Sequence, residues 1–223
     1  MDEVRFTTED GVSLEGELRP AEREAVGSAV LCHALPTAGG SKDHPIPWAV
    51  RNELAARGFA VLSFNFRGVM RSGGTYGGGR SETRDVAAAL GLVRERVGGP
   101  TLVFGWSFGA NVALREAIDD PRASALALVG IPLGERTPDV PELPPPEVLR
   151  RFRRPVLLLS GQGDTYSPRP DLELLARRLP ASRLEIVPGT DHFLWRREKE
   201  AAGLIGAFAA EALGKEDHTS ARE

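Results

Sequence analysis

The stretch from Thr101 to Leu114 most constrains what this chain can fold into. It opens with the β-branched and aromatic run Thr101–Phe104, which predicts a buried strand. Ala110–Ile118 has strong helical character. Between these runs lies Ser107, with a glycine two positions away on each side. Glycines at that spacing allow a tight turn in which a Cβ atom would collide with its neighbours. The stretch therefore predicts a strand, a sharp turn with a serine at its apex, and a helix whose free N–H groups point at that serine.

The rest of the chain repeats this alternation of apolar strands and helices. Alternation of this kind implies a mostly parallel, twisted sheet with helices on both faces, the α/β class. Glu9-Asp10-Gly11 is a hairpin signal between the first two strands, because Asp-Gly supplies the positive φ of a tight turn. The predicted strands are Val4–Thr8, Ser13–Leu18, Ser28–Cys32, Phe59–Phe64, Thr101–Phe104, Ala123–Val129, Val156–Ser160 and Leu184–Val187. The predicted helices include Trp48–Arg57, Ser81–Val97, Asp171–Leu179 and Trp195–Leu213.

Length and composition favour a single globular domain. The chain has 223 residues, of which 41% are hydrophobic and 26% are charged, enough for one α/β domain with a substantial core. No internal repeat or linker divides it. We predict one domain over residues 1–213 and a polar, disordered tail over residues 214–223.

Charge and cysteine content limit the partners and the compartment. A net charge of −3 argues against a general nucleic-acid binder. The N-terminus has no apolar signal segment, and no apolar run is long enough to span a bilayer. Cys32 is the only cysteine, so no disulfide can form within the chain. We expect a cytoplasmic protein with no nucleic-acid or membrane partner, and the sequence does not indicate its oligomeric state.

Chemistry is expected after the strands, because ligands of such sheets bind at the carboxyl ends of the strands. Ser107 needs a base to accept its proton, and His192 stands on the loop after the last predicted strand. The imidazole in turn needs a carboxylate, and Asp164 follows the strand Val156–Ser160. Asp171 and Asp191 compete for that role, although Asp191 is adjacent to the histidine and poorly placed to reach its ring.

Other conspicuous residues have structural interpretations. His33, directly after a strand, is expected to be a buried, hydrogen-bonded loop anchor, and Arg67 is expected to tie loops together. Gly77-Gly78-Gly79 is not a phosphate cradle, because no Lys-Ser or Lys-Thr follows it. No residues have the spacing of zinc or calcium ligands, so we predict no metal and no cofactor.

With these residues in this order, the chain resembles the α/β-hydrolase superfamily, and within it the small, nearly capless bacterial serine hydrolases. The order Ser107, Asp164, His192 is the order of that superfamily. The resemblance covers roughly residues 4–212. This chain differs from the family pattern at Ala34-Leu35, where relatives often have Pro-His, and at Met70, where relatives often have a glycine. The matching motifs are Cys32-His-Ala-Leu-Pro36 with Gly39-Gly-Ser41, Phe64-Asn-Phe-Arg-Gly-Val-Met-Arg-Ser-Gly73, Gly105-Trp-Ser-Phe-Gly109, Gly161-Gln-Gly-Asp164 and Gly189-Thr-Asp-His-Phe193.

The resemblance implies a carboxylesterase-like serine hydrolase acting through an acyl-enzyme. Ser107 would be the nucleophile, His192 the base and Asp164 the acid that orients it. The backbone N–H groups of Leu35 and Phe108 would form the oxyanion hole. The segment Leu133–Arg150, where larger relatives insert a lid, is short and proline-rich. It predicts an open site for small or short-acyl esters, with apolar walls from Met70, Ile131, Leu133 and Phe193.

Two other functions fit the same residues. A thioesterase or peptidase would use the same three side chains on a different acyl substrate. A non-catalytic binding protein would also have this fold, but it has no need for serine, histidine and aspartate together.

Overall fold

The computed structural model describes residues 1–133 and 140–214, and eight strands in this part of the chain form one sheet. Their spatial order is β1-β2-β4-β3-β5-β6-β7-β8. The first two pairings, β1 with β2 and β2 with β4, are antiparallel, and the other pairings are parallel. The strands are β1 Asp2–Thr7, β2 Ser13–Arg19, β3 Gly27–Cys32, β4 Phe59–Phe64, β5 Thr101–Trp106, β6 Ala123–Val129, β7 Val156–Gly161 and β8 Ser182–Val187.

Helices cover both faces of this sheet, as the alternating sequence predicted. Along β3, Val30 and Cys32 join the core under α2, α3 and α5, whereas Ala29 and Leu31 join the core under α1 and α6. This two-residue alternation of buried side chains is typical of a strand buried on both faces. The helices are α1 Pro45–Ala56, α2 Glu82–Arg96, α3 Phe108–Asp119, α4 Pro146–Leu149, α5 Arg169–Arg178 and α6 Glu198–Leu213.

The hairpin signal is confirmed. β1 and β2 pair in antiparallel register from Asp2–Leu18 to Thr7–Ser13. Gly11 in the connecting turn has φ 82°, the left-handed conformation that the Asp-Gly pair was expected to supply.

Helix α1 begins three residues before the predicted start at Trp48. His44 is its N-cap, and the His44 Nδ1 accepts a hydrogen bond of 3.3 Å from the N–H of Ile46. Pro45 and Pro47 lie in the first turn, where a missing N–H costs nothing because those groups have no partner within the helix. The two prolines therefore belong to the first turn of the helix, before the start that the sequence predicted.

Helix α6, in contrast, begins three residues after the predicted start at Trp195. Leu194 and Arg196 have φ values of 51° and 63°, which a right-handed helix does not contain. The residues before Glu198 therefore form a tight loop that continues from His192.

Arg67 ties loops together, as expected. Its guanidinium contacts the fully buried carboxylate of Asp85 on α2 at 2.6 Å and that of Asp10 in the hairpin turn at 2.8 Å. Both the hydrogen bonds and the charge of Arg67 hold the pKa of Asp10 well below its usual range. This cluster joins the antiparallel end of the sheet to the loop after β4.

The fold depends on close backbone contact at Gly109. A Cβ atom on Gly109 would lie 2.3 Å from the carbonyl oxygen of Cys32 and 2.5 Å from that of His33. We expect Gly109→Ala to lower the free energy of unfolding by about 3 kcal/mol or more, because α3 would have to move away from β3. Gly203→Ala in α6 is the control, since nothing lies within 4 Å of its added Cβ.

Alanine favours a helix over glycine by about 0.5–1 kcal/mol, so Gly203→Ala should be slightly stabilising. Urea unfolding of both variants checks the pair. Equal stability changes would show that β3 and α3 do not constrain each other in this way.

Candidate active site

Ser107 occupies the predicted sharp turn. It is the N-cap of α3 and has φ 56° and ψ −121°, a conformation that costs a non-glycine residue energy. The N–H of Ser107 donates to the carbonyl of Val129 at the end of β6 at 2.8 Å, which holds the strained residue in place. A Cβ on Gly105 would lie 2.4 Å from the carbonyl oxygen of Gly109, so only glycine allows the turn.

The structure brings Ser107, His192 and Asp164 into one hydrogen-bonded chain. The His192 Nε2 lies 3.0 Å from the Ser107 Oγ, and the His192 Nδ1 lies 2.9 Å from the Asp164 Oδ2. A carboxylate only accepts hydrogen bonds, so Nδ1 carries the proton and Nε2 is left to accept from the serine hydroxyl. This arrangement can remove a proton from the hydroxyl as the oxygen attacks an electrophile.

Asp164 is buried but well satisfied. Its Oδ2 also accepts from the Ser160 hydroxyl at 2.8 Å, and its Oδ1 accepts from the backbone N–H groups of Tyr166 and Ser167 at 2.9 and 3.0 Å. Burial alone would raise the pKa of Asp164. The hydrogen bond and charge of His192, with the donors from Ser160 and Ser167, outweigh burial and hold the pKa below its usual value. The carboxylate is therefore ionised at neutral pH.

Asp191, the competing carboxylate, points elsewhere. Its Oδ1 accepts a hydrogen bond of 3.0 Å from the N–H of Phe193 and stabilises the turn that carries His192.

Two further residues hold His192 from behind. The indole N–H of Trp106 donates to the backbone carbonyl of His192 at 3.2 Å. Gly130, with φ 54°, lies against the imidazole, and a Cβ there would be 3.1 Å from the ring and 3.2 Å from the Asp164 Oδ2. A larger residue at Gly130 would push the histidine and the aspartate apart.

Leu35 and Phe108, the residues predicted to form the oxyanion hole, both lie beside Ser107. Both residues line the cavity at Ser107, and Phe108 is the first residue of α3, where N–H groups have no intrahelical partner. Within residues 1–133 and 140–214, neither N–H donates to a protein acceptor. The Leu35 carbonyl accepts from Ala38 and Gly40 in a short 3₁₀ turn, which fixes the loop after β3.

His33 is the buried anchor that the sequence predicted. Its Nε2 accepts from the N–H of Phe66 at 3.1 Å, so its Nδ1 carries the proton and donates to the carbonyl of Ala34 at 2.7 Å. Burial lowers the pKa of His33 to about 4, which keeps the ring neutral at physiological pH.

A cavity of about 250 Å³ opens beside Ser107. Its floor includes the buried rings of Trp106 and Phe108, and its rim includes Tyr166 and Phe193, which are 42% and 50% exposed. The lining residues are Ala34, Leu35, Ala38, Gly39, Gly40, His44, Trp106, Ser107, Phe108, Pro132, Val140, Tyr166, His192 and Phe193.

Three of the four predicted wall residues are not on this cavity, and this corrects the sequence interpretation. Ile131 is fully buried and Leu133 nearly so, and both pack in the core beneath α3 because the chain turns inward after β6. Met70 is 74% exposed on a turn after β4 with φ 50°, a left-handed conformation that a glycine would adopt without strain. Phe193 alone contacts the cavity as predicted.

The glycine-rich loop is closed internally. The N–H groups of Gly77 and Gly79 both donate to the carboxylate of Glu82 at the start of α2, so they are not free to bind a phosphate. In the part of the chain that the structure describes, no three His, Cys, Asp or Glu side chains are grouped so as to hold a metal ion. Among the same residues, no helix is both long and apolar enough to cross a bilayer.

Sequence reasoning missed the groups that support and line the site. Ser160 ends a strand and could have been found by the same strand-end rule that found Asp164. Trp106 carried a signal only as the variable position of the Gly-x-Ser-x-Gly motif. His44 lies before the predicted helix Trp48–Arg57 and carried no signal there, although it caps α1 and contacts the Trp106 ring with centroids 4.3 Å apart.

Comparison with known proteins agrees with this architecture. A family model described as an alpha/beta hydrolase domain matches residues 28–212. The chain belongs to the α/β-hydrolase family. This α/β-hydrolase is 25% identical over 217 residues to an uncharacterized protein of Rickettsia prowazekii, covering 93% of this chain and 88% of the relative.

Solved structures share the fold over nearly its whole length. A Xanthomonas campestris protein described as an α/β serine hydrolase without a lid is 25% identical, with a TM-score of 0.81 and 96% of each chain covered. An esterase of Pyrococcus furiosus has a TM-score of 0.79 at 21% identity, with 96% of this chain and 93% of that chain covered. The family match and the similar solved structures together support a hydrolase with a small, capless α/β-hydrolase fold.

Proposed function

We propose that the protein hydrolyses small carboxylic esters through a covalent acyl-enzyme. The observation that carries the proposal is the hydrogen-bonded chain from Ser107 through His192 to Asp164, with distances of 3.0 and 2.9 Å. Ser107 Oγ attacks the ester carbonyl while His192 takes its proton, and His192 then gives that proton to the departing alcohol. A water molecule next loses a proton to His192 and attacks the acyl-enzyme, which releases the acid and regenerates the serine.

The oxyanion formed in each step needs two donors. Phe108 and Leu35 line the cavity beside Ser107, and their N–H groups donate to no acceptor among the described residues, so in this proposal they bind the negative oxygen. A fixed donor of this kind typically contributes ~3 kcal/mol to lowering the barrier. The N-terminus of α3 adds a favourable dipole at the same point.

His33 orients one of these donors. The Leu35 N–H and the Ala34 carbonyl belong to the same planar, trans peptide and therefore point in opposite directions. Because the His33 Nδ1–H holds the Ala34 carbonyl at 2.7 Å, it turns the Leu35 N–H away from itself. Gly40 packs against the same carbonyl, since a Cβ there would lie 2.1 Å from it. His33 is a positioning residue for the oxyanion hole.

The cavity supports small substrates. Its volume of about 250 Å³ is below the roughly 300–1,000 Å³ of sites for drug-sized ligands. Ester hydrolysis is also the activity by which the Pyrococcus furiosus neighbour is described. Rates on matched ester, thioester and amide substrates separate the esterase from a thioesterase or a peptidase.

The first test is covalent labelling of the serine. We expect a fluorophosphonate probe to label the wild-type protein at Ser107 alone. The Ser107→Ala variant should take no label, and its rate of ester turnover should fall by about 10⁵-fold or more. Mass spectrometry locates the adduct, and circular dichroism checks that the variant folds. An active Ser107→Ala protein, or a folded wild type that takes no label, would overturn the assignment.

The second test compares the two neighbouring aspartates. Asp164→Asn keeps an oxygen for the Tyr166 and Ser167 N–H groups but presents an amide N–H to the His192 Nδ1, so it favours the wrong tautomer. We expect kcat to fall about 10⁴-fold. Asp191→Asn is the matched control, because among the described residues the Asp191 carboxylate bonds to the Phe193 N–H and not to the His192 ring, and kcat should change less than about threefold. Similar losses in the two variants would show that Asp164 has no special role.

The third test separates the two hydrogen bonds of His33. His33→Asn retains a donor near the Ala34 carbonyl, whereas His33→Gln retains an acceptor near the Phe66 N–H and loses that donor. We expect kcat to fall about 10²-fold in His33→Gln with little change in KM. In His33→Asn, which keeps the donor, kcat should fall only about tenfold. Steady-state kinetics with thermal unfolding of both variants checks this. Equal kcat values at equal stability would make His33 a purely structural residue.

A further inference from the structure

The cavity beside Ser107 has an unusual distribution of polar groups. Its walls are mostly apolar and aromatic, with Trp106 and Phe108 on the floor and Tyr166 and Phe193 at the rim. The indole N–H of Trp106 is already bonded to the His192 carbonyl. Apart from Trp106, Ser107, His192 and the rim tyrosine, His44 is the one polar side chain among the described residues that line the cavity.

Hydrogen bonding at the start of α1 fixes the tautomer of His44. Its Nδ1 accepts from the N–H of Ile46 at 3.3 Å, and an amide N–H can only donate. In the neutral ring the proton is therefore on Nε2, the far atom of the imidazole. Burial lowers the pKa of His44 below its usual value, although the negative charge of Glu198 acts against it, so the ring is neutral at pH 7.

Ring stacking fixes the orientation of the same side chain. The His44 ring lies on the Trp106 indole with centroids 4.3 Å apart and an angle of 35° between the planes. Trp106 is itself held by its hydrogen bond to the His192 carbonyl and precedes Ser107 directly. His44 lines the cavity, so its Nε2–H is a donor on a rigid ring in the cavity wall. Among residues 1–133 and 140–214, the hydrogen bond of the His44 side chain is the one that Nδ1 accepts from Ile46, and Nε2 makes none.

We propose that this cavity selects esters that carry a planar aromatic group with a hydrogen-bond acceptor on it, and that the Nε2–H of His44 binds that acceptor. Four aromatic rings on the floor and rim provide faces and edges for a flat group. A single fixed donor in an otherwise apolar pocket gives orientation and specificity rather than bulk affinity. This inference rests on the proposed ester hydrolysis at Ser107 and names its substrate class.

A substrate pair matched in shape tests the donor. The 3- and 4-acetylphenyl acetates carry a carbonyl acceptor, and the corresponding isopropenylphenyl acetates replace that oxygen by a CH₂ group of similar size. The methyl acetylbenzoates and isopropenylbenzoates put the same groups on the acyl side. For at least one position, wild-type kcat/KM divided by the alkaline hydrolysis rate should be about three- to tenfold higher for the acetyl ester.

Two variants of His44 then remove the donor in different ways. His44→Phe keeps a ring on Trp106 and loses the helix cap, whereas His44→Asn keeps a good N-cap but is too short to place a donor where Nε2 lies. The readout is the ratio of kcat/KM for the acetyl ester to kcat/KM for the isopropenyl ester. The electronic effects of the two substituents are the same for every protein, so they cancel when this ratio is compared between wild type and variants. We expect the ratio to fall to about one in both variants, while thermal unfolding shows the loss of the cap only in His44→Phe.

Each outcome is decisive. A ratio that is the same in wild type and both variants, or a wild-type ratio near one at every position, would overturn the role of His44. The aromatic preference would be overturned if the enzyme favoured neither methyl benzoate over methyl cyclohexanecarboxylate nor phenyl acetate over cyclohexyl acetate. Both comparisons use rates normalised by alkaline hydrolysis. Failure of the proposed function looks different, because no ester would then be turned over and Ser107 would take no fluorophosphonate label.

Discussion

The site depends on one close contact between backbones, at the place where α3 begins over the ends of β3 and β5. Gly109 lies so near the carbonyls of Cys32 and His33 that a Cβ there would approach them to 2.3 and 2.5 Å. Gly105 meets the first turn of α3 at similar range. Only with both side chains absent can the chain turn sharply enough to hold Ser107 at φ 56°. The strained serine, the free N–H groups of α3 and the loop after β3 all take their positions from this contact.

Around that contact, the groups of the candidate site are held by bonds that do not involve a substrate. Asp164 has four donors, His192 is held through both ring nitrogens and its carbonyl, and His33 holds the peptide before Leu35. Donors and dipoles fixed in advance need no reorganisation when charge develops, which is the main physical source of enzymatic rate enhancement. The architecture therefore supports catalysis more than flexible recognition.

The aromatic cavity follows from the same arrangement. Trp106 lies between the two loops that meet at Ser107: its ring contacts His44 before α1, and its N–H contacts the loop of His192. A residue at the variable position of the serine turn thus links the pocket wall to the base. Changes at Trp106 are expected to affect substrate preference and turnover together.

The sequence by itself determined the α/β class and the hairpin, through its periodicity and its turn residues. The order of its motifs also determined that the functional residues follow strands and which three of them meet at the site. These features are local or follow from a general rule, because carboxyl ends of parallel strands share one edge of a sheet. Tertiary structure alone decided which apolar side chains line the cavity. Ile131 and Leu133 turn into the core and Met70 turns into solvent, and no local pattern distinguishes these directions from that of Phe193. It also decided that His44 faces Trp106, since these two residues are distant in sequence.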